Sequence, residues 1–145
     1  MSKKKAYVIG TNVSTSLSPT IFQYWFNKYN VDGEYGYIEI EGLFGDPYEN
    51  TKELVLDLAK FSVDLGVDAL TVGNSRSVKD LKMATGFGGL SGKALIEDTI
   101  AMIKDVREYV GDLISINGCG GIFNANDAER VINAGATTVQ VYSGL

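Results

Sequence analysis

The feature that most constrains this chain is the stretch from Leu113 to Gly121, where an apolar run of strand length ends in three glycines within four residues. Glycine permits positive φ angles and lets a ligand approach the backbone, because it has no Cβ. Successive N–H groups in such a turn can form a concave anion site. Asn126 and Glu129 follow at the spacing of a capping box, and residues 137–143 have the pattern of another strand. The stretch therefore predicts a βαβ unit whose glycine turn can hold a phosphate.

Two further interpretations of the glycine turn compete with phosphate binding. Strand-to-helix turns also use glycine for geometry alone. The second interpretation is a dinucleotide-binding fingerprint, which the sequence matches poorly. Gly118 and Gly120 satisfy its first half, but Phe123 stands where the third glycine belongs. The following strand ends in Tyr142 and Ser143 instead of an acidic residue. A mononucleotide phosphate is therefore a better prediction than NAD.

Short apolar strands alternate with amphipathic helices along the whole chain. Ser18 and Pro19 have the residue types of an N-cap and a first helical position, and aromatic residues on one face of that helix indicate core positions. The segment from residue 76 to Gly92 is glycine-rich, which predicts irregular structure with one helical turn at residues 78–83. The alternation predicts a single α/β domain of five βα units with a parallel sheet.

Two architectures fit that prediction. A chain of 145 residues is too short for a complete eight-unit β/α barrel, which needs about 250 residues. An open three-layer sheet is favoured over an incomplete β/α barrel, because an arc of barrel strands leaves its inner face in water. If the strands form an arc, we expect a homodimer to cover that face.

Composition narrows the function classes. The net charge of −5 argues against a nucleic-acid partner, and no apolar run reaches membrane-spanning length. The absence of histidine argues against a zinc site or a Ser-His-Asp triad, so no metal is expected. A single cysteine is typical of a reducing compartment, and we expect a cytoplasmic protein.

In parallel sheets the functional residues follow the carboxyl ends of the strands. Those ends carry amide, hydroxyl and backbone groups, with a pair of glutamates but no lysine or arginine. They are Thr11–Asn12, Glu39–Glu41, Gly73–Ser75, Gly118–Gly121 and Tyr142–Ser143. This set predicts a hydrogen-bonding site for a small ligand with a phosphate or carboxylate.

Three motifs in the C-terminal two-thirds of the chain carry a resemblance to a known family. They are the octapeptide from Gly88 to Leu95 (GGLSGKAL), the turn Gly118–Ile122 (GCGGI) and the segment from Asn133 to Leu145 (NAGATTVQVYSGL). From about residue 50 onward the chain resembles the C-terminal part of quinone-type dihydroorotate dehydrogenase. The resemblance implies strands of a β/α barrel that bind the phosphate of FMN, in an oxidoreductase of pyrimidine biosynthesis.

Site residues follow from the resemblance by position. Gly73, Gly92, Gly121, Tyr142 and Ser143 match residues that line the family's flavin, and the turn argument adds Gly120. Asn74 and Ser75 match the pair that contacts orotate. The family's flavin-facing lysine has no counterpart, and the segment that carries its serine base is not recognised here. We therefore expect no catalytic residues, at most a weak FMN or phosphate site, and no turnover.

The N-terminal third resembles a different family. The strand ending at Gly10 and the segment from Ser14 to Pro19 (STSLSP) are similar to the substrate domain of shikimate dehydrogenase. That resemblance implies that Ser16 and Ser18 bind a carboxylate, although Ser18 as a simple helix cap is the alternative. The chain is thus interpreted as a composite, natural or engineered. Residues 1–41 are shikimate-dehydrogenase-like, residues 42–49 form the join, and residues 50–145 supply the dihydroorotate-dehydrogenase-like units; a bare fold scaffold is the remaining alternative.

Overall fold

Each parallel strand pair in the computed structural model is joined by a segment that contains a helix, which confirms the predicted α/β class. The structure describes residues 3–10, 13–40, 48–79, 81–84 and 86–142. These residues form two compact units, one within residues 1–44 and one within residues 45–145. The five parallel strands are divided between two sheets of two and three strands, where the sequence predicted one sheet. Residues 42–47 of the predicted join lie outside the described residues.

The N-terminal unit is a single βαβ crossover. Strands β1 (Lys4–Gly10) and β2 (Gly33–Glu39) pair in parallel, and helix α1 (Ser18–Lys28) connects them. The helix begins at Ser18 itself, so Ser18 is not the N-cap that the sequence predicted. The Ser16 hydroxyl accepts the backbone N–H of Ser18 at 3.2 Å, which satisfies one of the free donors at the helix start.

Aromatic residues cover the contact between α1 and the two-stranded sheet. Phe22 stacks on Tyr35 with ring centroids 4.3 Å apart and meets the edge of Trp25 at 5.3 Å. No described residue of this unit is buried, and Trp25 and Tyr29 are 45% and 66% exposed. The prediction that most of these aromatics form a core is therefore wrong. One helix on two strands offers too little surface to enclose large side chains.

In the described residues, the C-terminal unit consists of a three-stranded parallel sheet and three α-helices. The strands are β3 (Ala69–Gly73), β6 (Ser115–Cys119) and β7 (Thr138–Gln140), and the helices are α2 (Tyr48–Asp64), α3 (Ile96–Val110) and α4 (Ala125–Asn133). The strand order is β3-β6-β7, and Asn117 of β6 is paired in register with Thr71 of β3 and with Thr138 of β7. No helix within the described ranges is both long and apolar enough to cross a bilayer.

One face of this sheet carries the hydrophobic core. Val72 and Ile116 lie on it and pack with Ile103, Val106 and Val131 of the helices. The opposite face presents polar side chains, and its residues Thr71, Ser115 and Thr138 are exposed. Because helices cover only one face of this sheet and the other face is polar, the unit has two layers, one of helices and one of strands, not three. Of the two architectures that the sequence allowed, this arrangement is the barrel segment, and the described strands do not close into a barrel.

An antiparallel pair of strands replaces the irregular segment that the sequence predicted. Strand β4 (Arg76–Lys79) pairs with β5 (Phe87–Leu90), and the register joins residue 76 to residue 90. The predicted helical turn at residues 78–83 is absent from the described part of this segment. Two consecutive glycines in β5, Gly88 and Gly89, weaken the pattern of a strand, which explains why the pair escaped prediction.

The side chain of Arg107, near the end of α3, ties together the amino ends of β6 and β7. Its guanidinium donates to the carbonyl of Gly135 at 2.9 Å and of Ile114 at 3.3 Å, and to the Thr137 hydroxyl at 3.3 Å. It also donates to the carbonyl of Gly111, just past the helix. The Arg107 side chain is only 20% exposed, so these donors are largely withdrawn from water. A planar fork of five donors is suited to this task, and an ammonium group is not.

We predict that Arg107→Lys destabilises the C-terminal unit by at least about 2 kcal/mol, because carbonyls lose their charged donor in a partly buried place. Urea unfolding followed by circular dichroism measures the change. Lys104→Ala is the matched control on α3, since the Lys104 side chain is exposed and pairs with Glu108 at 3.9 Å. The control should stay within about 0.5 kcal/mol of the wild type. Equal stability of Arg107→Lys and the control would refute the role of the fork.

Tyr48, Lys52 and Asp105 link α2 to α3. The Tyr48 hydroxyl donates to Asp105 at 2.9 Å, and the Lys52 ammonium lies 2.8 Å from the same carboxylate oxygen. Burial, followed by the hydrogen bond to Asp105, raises the pKa of Tyr48 well above its usual value. The hydrogen bond from Lys52 contributes most to lowering the pKa of Asp105.

The raised pKa of Tyr48 predicts an alkaline loss of stability. The folded state retains the phenolic proton, whereas an unfolded tyrosine ionises near pH 10. The stabilisation is therefore complete below about pH 10 and is lost as the pH rises beyond it. Urea unfolding of the wild type and Tyr48→Phe at pH 8 and pH 11 measures the effect. We expect the two proteins to converge at the higher pH, and a constant difference would contradict the prediction.

Candidate functional site

A cleft of about 280 Å³ opens at the carboxyl ends of β3, β6 and β7. Four stretches contribute to it: the segment after β3, the end of β5 with its connection to α3, the glycine turn after β6, and the end of β7 with the residues after it. The lining residues are Asn74, Ser75, Gly89, Ser91, Gly92, Cys119, Gly120, Gly121, Ile122, Phe123, Gln140 and Tyr142. The cleft lies at the carboxyl ends of the parallel strands, which is where ligands usually bind in sheets of this kind.

The structure brings six of the ten predicted site residues into this cleft. They are Asn74, Ser75, Gly92, Gly120, Gly121 and Tyr142. Gly73 precedes Asn74 directly but does not line the cleft. Ser143 lies outside the described residues, as do Thr11, Asn12 and Glu41.

Ser16 and Ser18 belong to the N-terminal unit. Their hydroxyl oxygens are 3.2 Å apart, with Ser16 donating to Ser18. The ligand roles of all ten residues stay predictions.

Close packing explains the glycines of the turn. Gly120 and Gly121 have φ angles of 114° and 76°. A Cβ on Gly121 would overlap the backbone of Ile96 at the start of α3, and one on Gly120 would approach the Asn74 carbonyl to 3.0 Å. Within the part of the chain that the structure describes, the N–H group of Gly121 donates to no other residue, whereas that of Gly120 follows the last pair of the β6–β7 ladder and faces β7. The glycines are therefore required by the packing, and the N–H group of Gly121 is left free for an anion.

The residues after β3 adopt an unusual backbone. Gly73 has φ of 94°, and a Cβ there would overlap the carbonyl of Cys119 on the neighbouring strand. Asn74 has φ of 145°, a conformation that residues with a Cβ rarely adopt. Strain of this kind costs about 1–3 kcal/mol and is concentrated at functional sites. The Asn74 amide is thereby held at the cleft, with its oxygen 4.0 Å from the Cys119 sulfur.

We predict that Asn74→Gly raises the free energy of unfolding by up to about 1 kcal/mol, because relief of strain outweighs the added freedom of the unfolded chain. Urea unfolding measures it. Asn30→Gly is the control, since φ of 52° at Asn30 lies in the left-handed region that asparagine tolerates. A destabilised Asn74→Gly protein would show that contacts, not strain, dominate at this position.

The electrostatics of the cleft are weak. Among the described lining residues, only Cys119 and Tyr142 can ionise, and no lysine or arginine is present. Burial raises the pKa of the Cys119 thiol, which keeps it protonated and a poor nucleophile. Tyr142 is 88% exposed. In the described ranges no cluster of histidine, cysteine or acidic residues is arranged to hold a metal ion. The cleft therefore offers neutral hydrogen-bond donors and acceptors to a polar ligand.

The cap of α4 fixes the backbone on the far side of the turn. Asn124 is the N-cap, and its side-chain oxygen accepts the N–H of Asp127 at 2.9 Å. The Asp127 carboxylate accepts the N–H of Phe123 at 3.1 Å, and Asp127 is only 4% exposed. The predicted capping box at Asn126 and Glu129 is therefore wrong by two residues. Asn124 and Asp127 have the same spacing, so the sequence did contain the correct signal.

Sequence reasoning missed several lining residues. Gly89 and Ser91 come from β5 and the residue that follows it, in the segment that was expected to be irregular. Gln140 was missed because the last strand was expected to extend to Ser143, whereas β7 ends at Gln140. With the correct boundary, the rule that sites follow strand ends would have identified Gln140.

Comparison with known proteins identifies relatives of the C-terminal unit. The family described as dihydroorotate dehydrogenase matches residues 50–145. Dihydroorotate dehydrogenase (quinone) of Cupriavidus pinatubonensis is 45% identical over 89 residues, which cover 61% of this chain and 26% of the relative. The Burkholderia pseudomallei enzyme of the same name is 35% identical over 96 residues, 66% of this chain and 28% of the relative.

A solved structure shows the same local fold. The chain is similar to the dihydroorotate dehydrogenase of Eimeria tenella in complex with ferulenol, with a TM-score of 0.57 and 30% identity. The similarity covers 65% of this chain and 26% of that structure. The chain thus spans about a quarter of the length of these relatives. These matches support the C-terminal resemblance, whereas the shikimate-dehydrogenase-like reading of the N-terminal third gains no support from them.

Proposed function

The chain belongs to the dihydroorotate dehydrogenase family, and on that premise we propose that its cleft binds the phosphate end of FMN. One observation carries the proposal: six residues that were predicted to contact the flavin or its substrate line a single cleft. The residues come from four separate stretches of the chain and are joined only by the fold. Such convergence of polar groups and bare backbone is typical of a ligand site.

The glycine turn fits a phosphate group. Gly121 presents an N–H group that is unpaired among the described residues, and Gly120 and Gly92 add backbone without side chains to the lining. A cleft of about 280 Å³ is just below the range of ligand sites, which span about 300–1,000 Å³, so it accommodates part of a flavin. When bound, FMN supplies an acceptor for a hydride. Asn74 and Ser75 would then lie on the side of the cleft that the family resemblance assigns to the substrate.

The expected affinity is modest. No lysine or arginine among the described lining residues offers a charge-assisted contact to the phosphate. We therefore propose a dissociation constant for FMN no tighter than about micromolar, which corresponds to about −8 kcal/mol.

We further propose that this chain binds the flavin without oxidising dihydroorotate. Proton abstraction requires a base near the substrate, and the described lining offers only a thiol with a raised pKa and a phenol. Removing a general base typically lowers a rate about 10²–10⁴-fold. The test is orotate formation with FMN and an electron acceptor supplied. Product above a control without protein would overturn this part of the proposal.

Gly89→Val tests the site without straining the backbone. A Cβ at Gly89 would contact the Ser75 side chain at ordinary distances of 3.5–3.7 Å, so the valine occupies the cleft rather than the core. We predict that it weakens FMN binding at least about tenfold, as fluorescence titration measures, with a stability change within about 1 kcal/mol.

Leu81→Ala is the control for that variant. Leu81 is 85% exposed in the connection between β4 and β5 and does not line the cleft. We expect it to bind FMN like the wild type. If the wild type binds neither FMN nor inorganic phosphate, the cleft proposal fails and the chain is a fold scaffold.

The N-terminal unit supports a second proposal, a carboxylate site at Ser16 and Ser18. The two hydroxyls lie 3.2 Å apart at the start of α1, so one carboxylate can reach both of them when the Ser16 hydroxyl turns away from Ser18. Thermal unfolding with millimolar shikimate tests it, with Ser16→Ala as the variant that should abolish any protection. Two neutral hydroxyls contribute only about 0.5–1.5 kcal/mol each, so the shift will be small. An unchanged melting temperature would leave Ser16 as a cap of the helix.

A further inference from the structure

A ladder of polar side chains crosses the exposed face of the three-stranded sheet and ends at the cleft. Asn117, on the central strand, donates from Nδ2 to the Thr71 hydroxyl at 3.3 Å and to Oε1 of Gln140 at 3.1 Å. Its Oδ1 accepts the Thr138 hydroxyl at 3.0 Å. Both N–H groups and the oxygen of Asn117 are therefore engaged by partners on the two flanking strands.

This ladder engages one end of the Gln140 amide. An amide group is planar, and its oxygen and its NH₂ group lie on opposite sides. The oxygen of Gln140 accepts from Asn117, which can only donate from that nitrogen. The NH₂ group donates to no other residue in the described ranges, although Gln140 lines the cleft. The free end of Gln140 is thus a pair of donors.

We propose that Gln140 donates from Nε2 to an acceptor oxygen of the ligand in the cleft, and that Asn117 is its positioning residue. This inference rests on the proposed function. A neutral amide next to a lining without cations selects oxygen acceptors, either a phosphate oxygen or a carbonyl of the flavin ring. Both belong to the same ligand, and separate probes distinguish them.

Stability alone does not account for the ladder. Thr71, Thr138 and Gln140 are exposed, and a hydrogen bond between groups that water can also reach adds little to folding. Its principal effect is to hold one of the two amide orientations of Gln140. Orientation matters for a ligand, because the reversed amide would present an oxygen to an oxygen acceptor.

The test is a double-mutant cycle in FMN affinity on the full chain. Gln140→Leu removes the donors, and we expect about tenfold weaker binding. Asn117→Leu leaves the donors but frees the amide to rotate, and we expect about threefold weaker binding. The double variant should bind like Gln140→Leu alone, because Asn117 acts through Gln140. Ser115→Ala, on the same exposed face but at the other end of β6, should bind like the wild type.

The outcomes separate the proposed function, FMN binding in the cleft, from the role of Gln140 in it. If the wild type binds FMN and Gln140→Leu binds it equally well, this inference is overturned while the proposed function stands. If the wild type binds neither FMN nor phosphate, both are overturned. Additive losses in the double variant would refute the positioning role of Asn117. Urea unfolding of all variants checks that affinity losses do not come from unfolding.

Titrations with separate parts of FMN identify the ligand oxygen that accepts the hydrogen bond from Gln140. Inorganic phosphate and riboflavin are titrated against the wild type and Gln140→Leu. A loss with phosphate assigns Nε2 to a phosphate oxygen, and a loss confined to FMN and riboflavin assigns it to a ring carbonyl. Either result supports the donor role, whereas no loss with any of the three probes contradicts it.

Discussion

The structure of the C-terminal unit depends on the close approach of backbone to backbone at the carboxyl end of its sheet. Gly121 lies where a Cβ would overlap the start of α3, and Gly73 lies where a Cβ would overlap the carbonyl of Cys119. These contacts bring the loop after β3, the glycine turn and the first residues of α3 together. Any larger residue at Gly121 or Gly73 would separate them. The cleft is therefore a consequence of packing that only glycine permits.

The same packing decides what the cleft can bind. Because glycine fills the turn, its N–H groups replace side chains as the polar surface, and the only ionisable lining groups of the described chain are a buried thiol and an exposed phenol. A site of this composition recognises shape and hydrogen-bond acceptors better than charge. It suits a ligand whose identity is set by a phosphate and a ring carbonyl.

The sequence predicted the parts of this molecule that depend on local patterns. The helix after Leu95 and the strand before the glycine turn followed from residue types alone, whereas the assignment of Gly92 and Gly121 to a ligand site came from the family resemblance. Three features did not follow from the sequence. The exposure of Trp25 reflects how little surface a single crossover encloses, the β4–β5 pair depends on long-range pairing of glycine-rich residues, and Gln140 depended on a strand end misplaced by three residues.

The position of Arg107 has a consequence for how this unit can change over time. Its guanidinium links the amino ends of β6 and β7 by hydrogen bonds, whereas the cleft lies at the carboxyl ends of these strands. Stability and recognition are therefore supported by different residues at different ends of the same strands. Loops around the cleft can accumulate substitutions, insertions or new ligand preferences while the linked amino ends keep the sheet in register. A unit whose stability and binding depend on different residues is a sound starting point for new binding proteins, whether selection or a designer alters the loops.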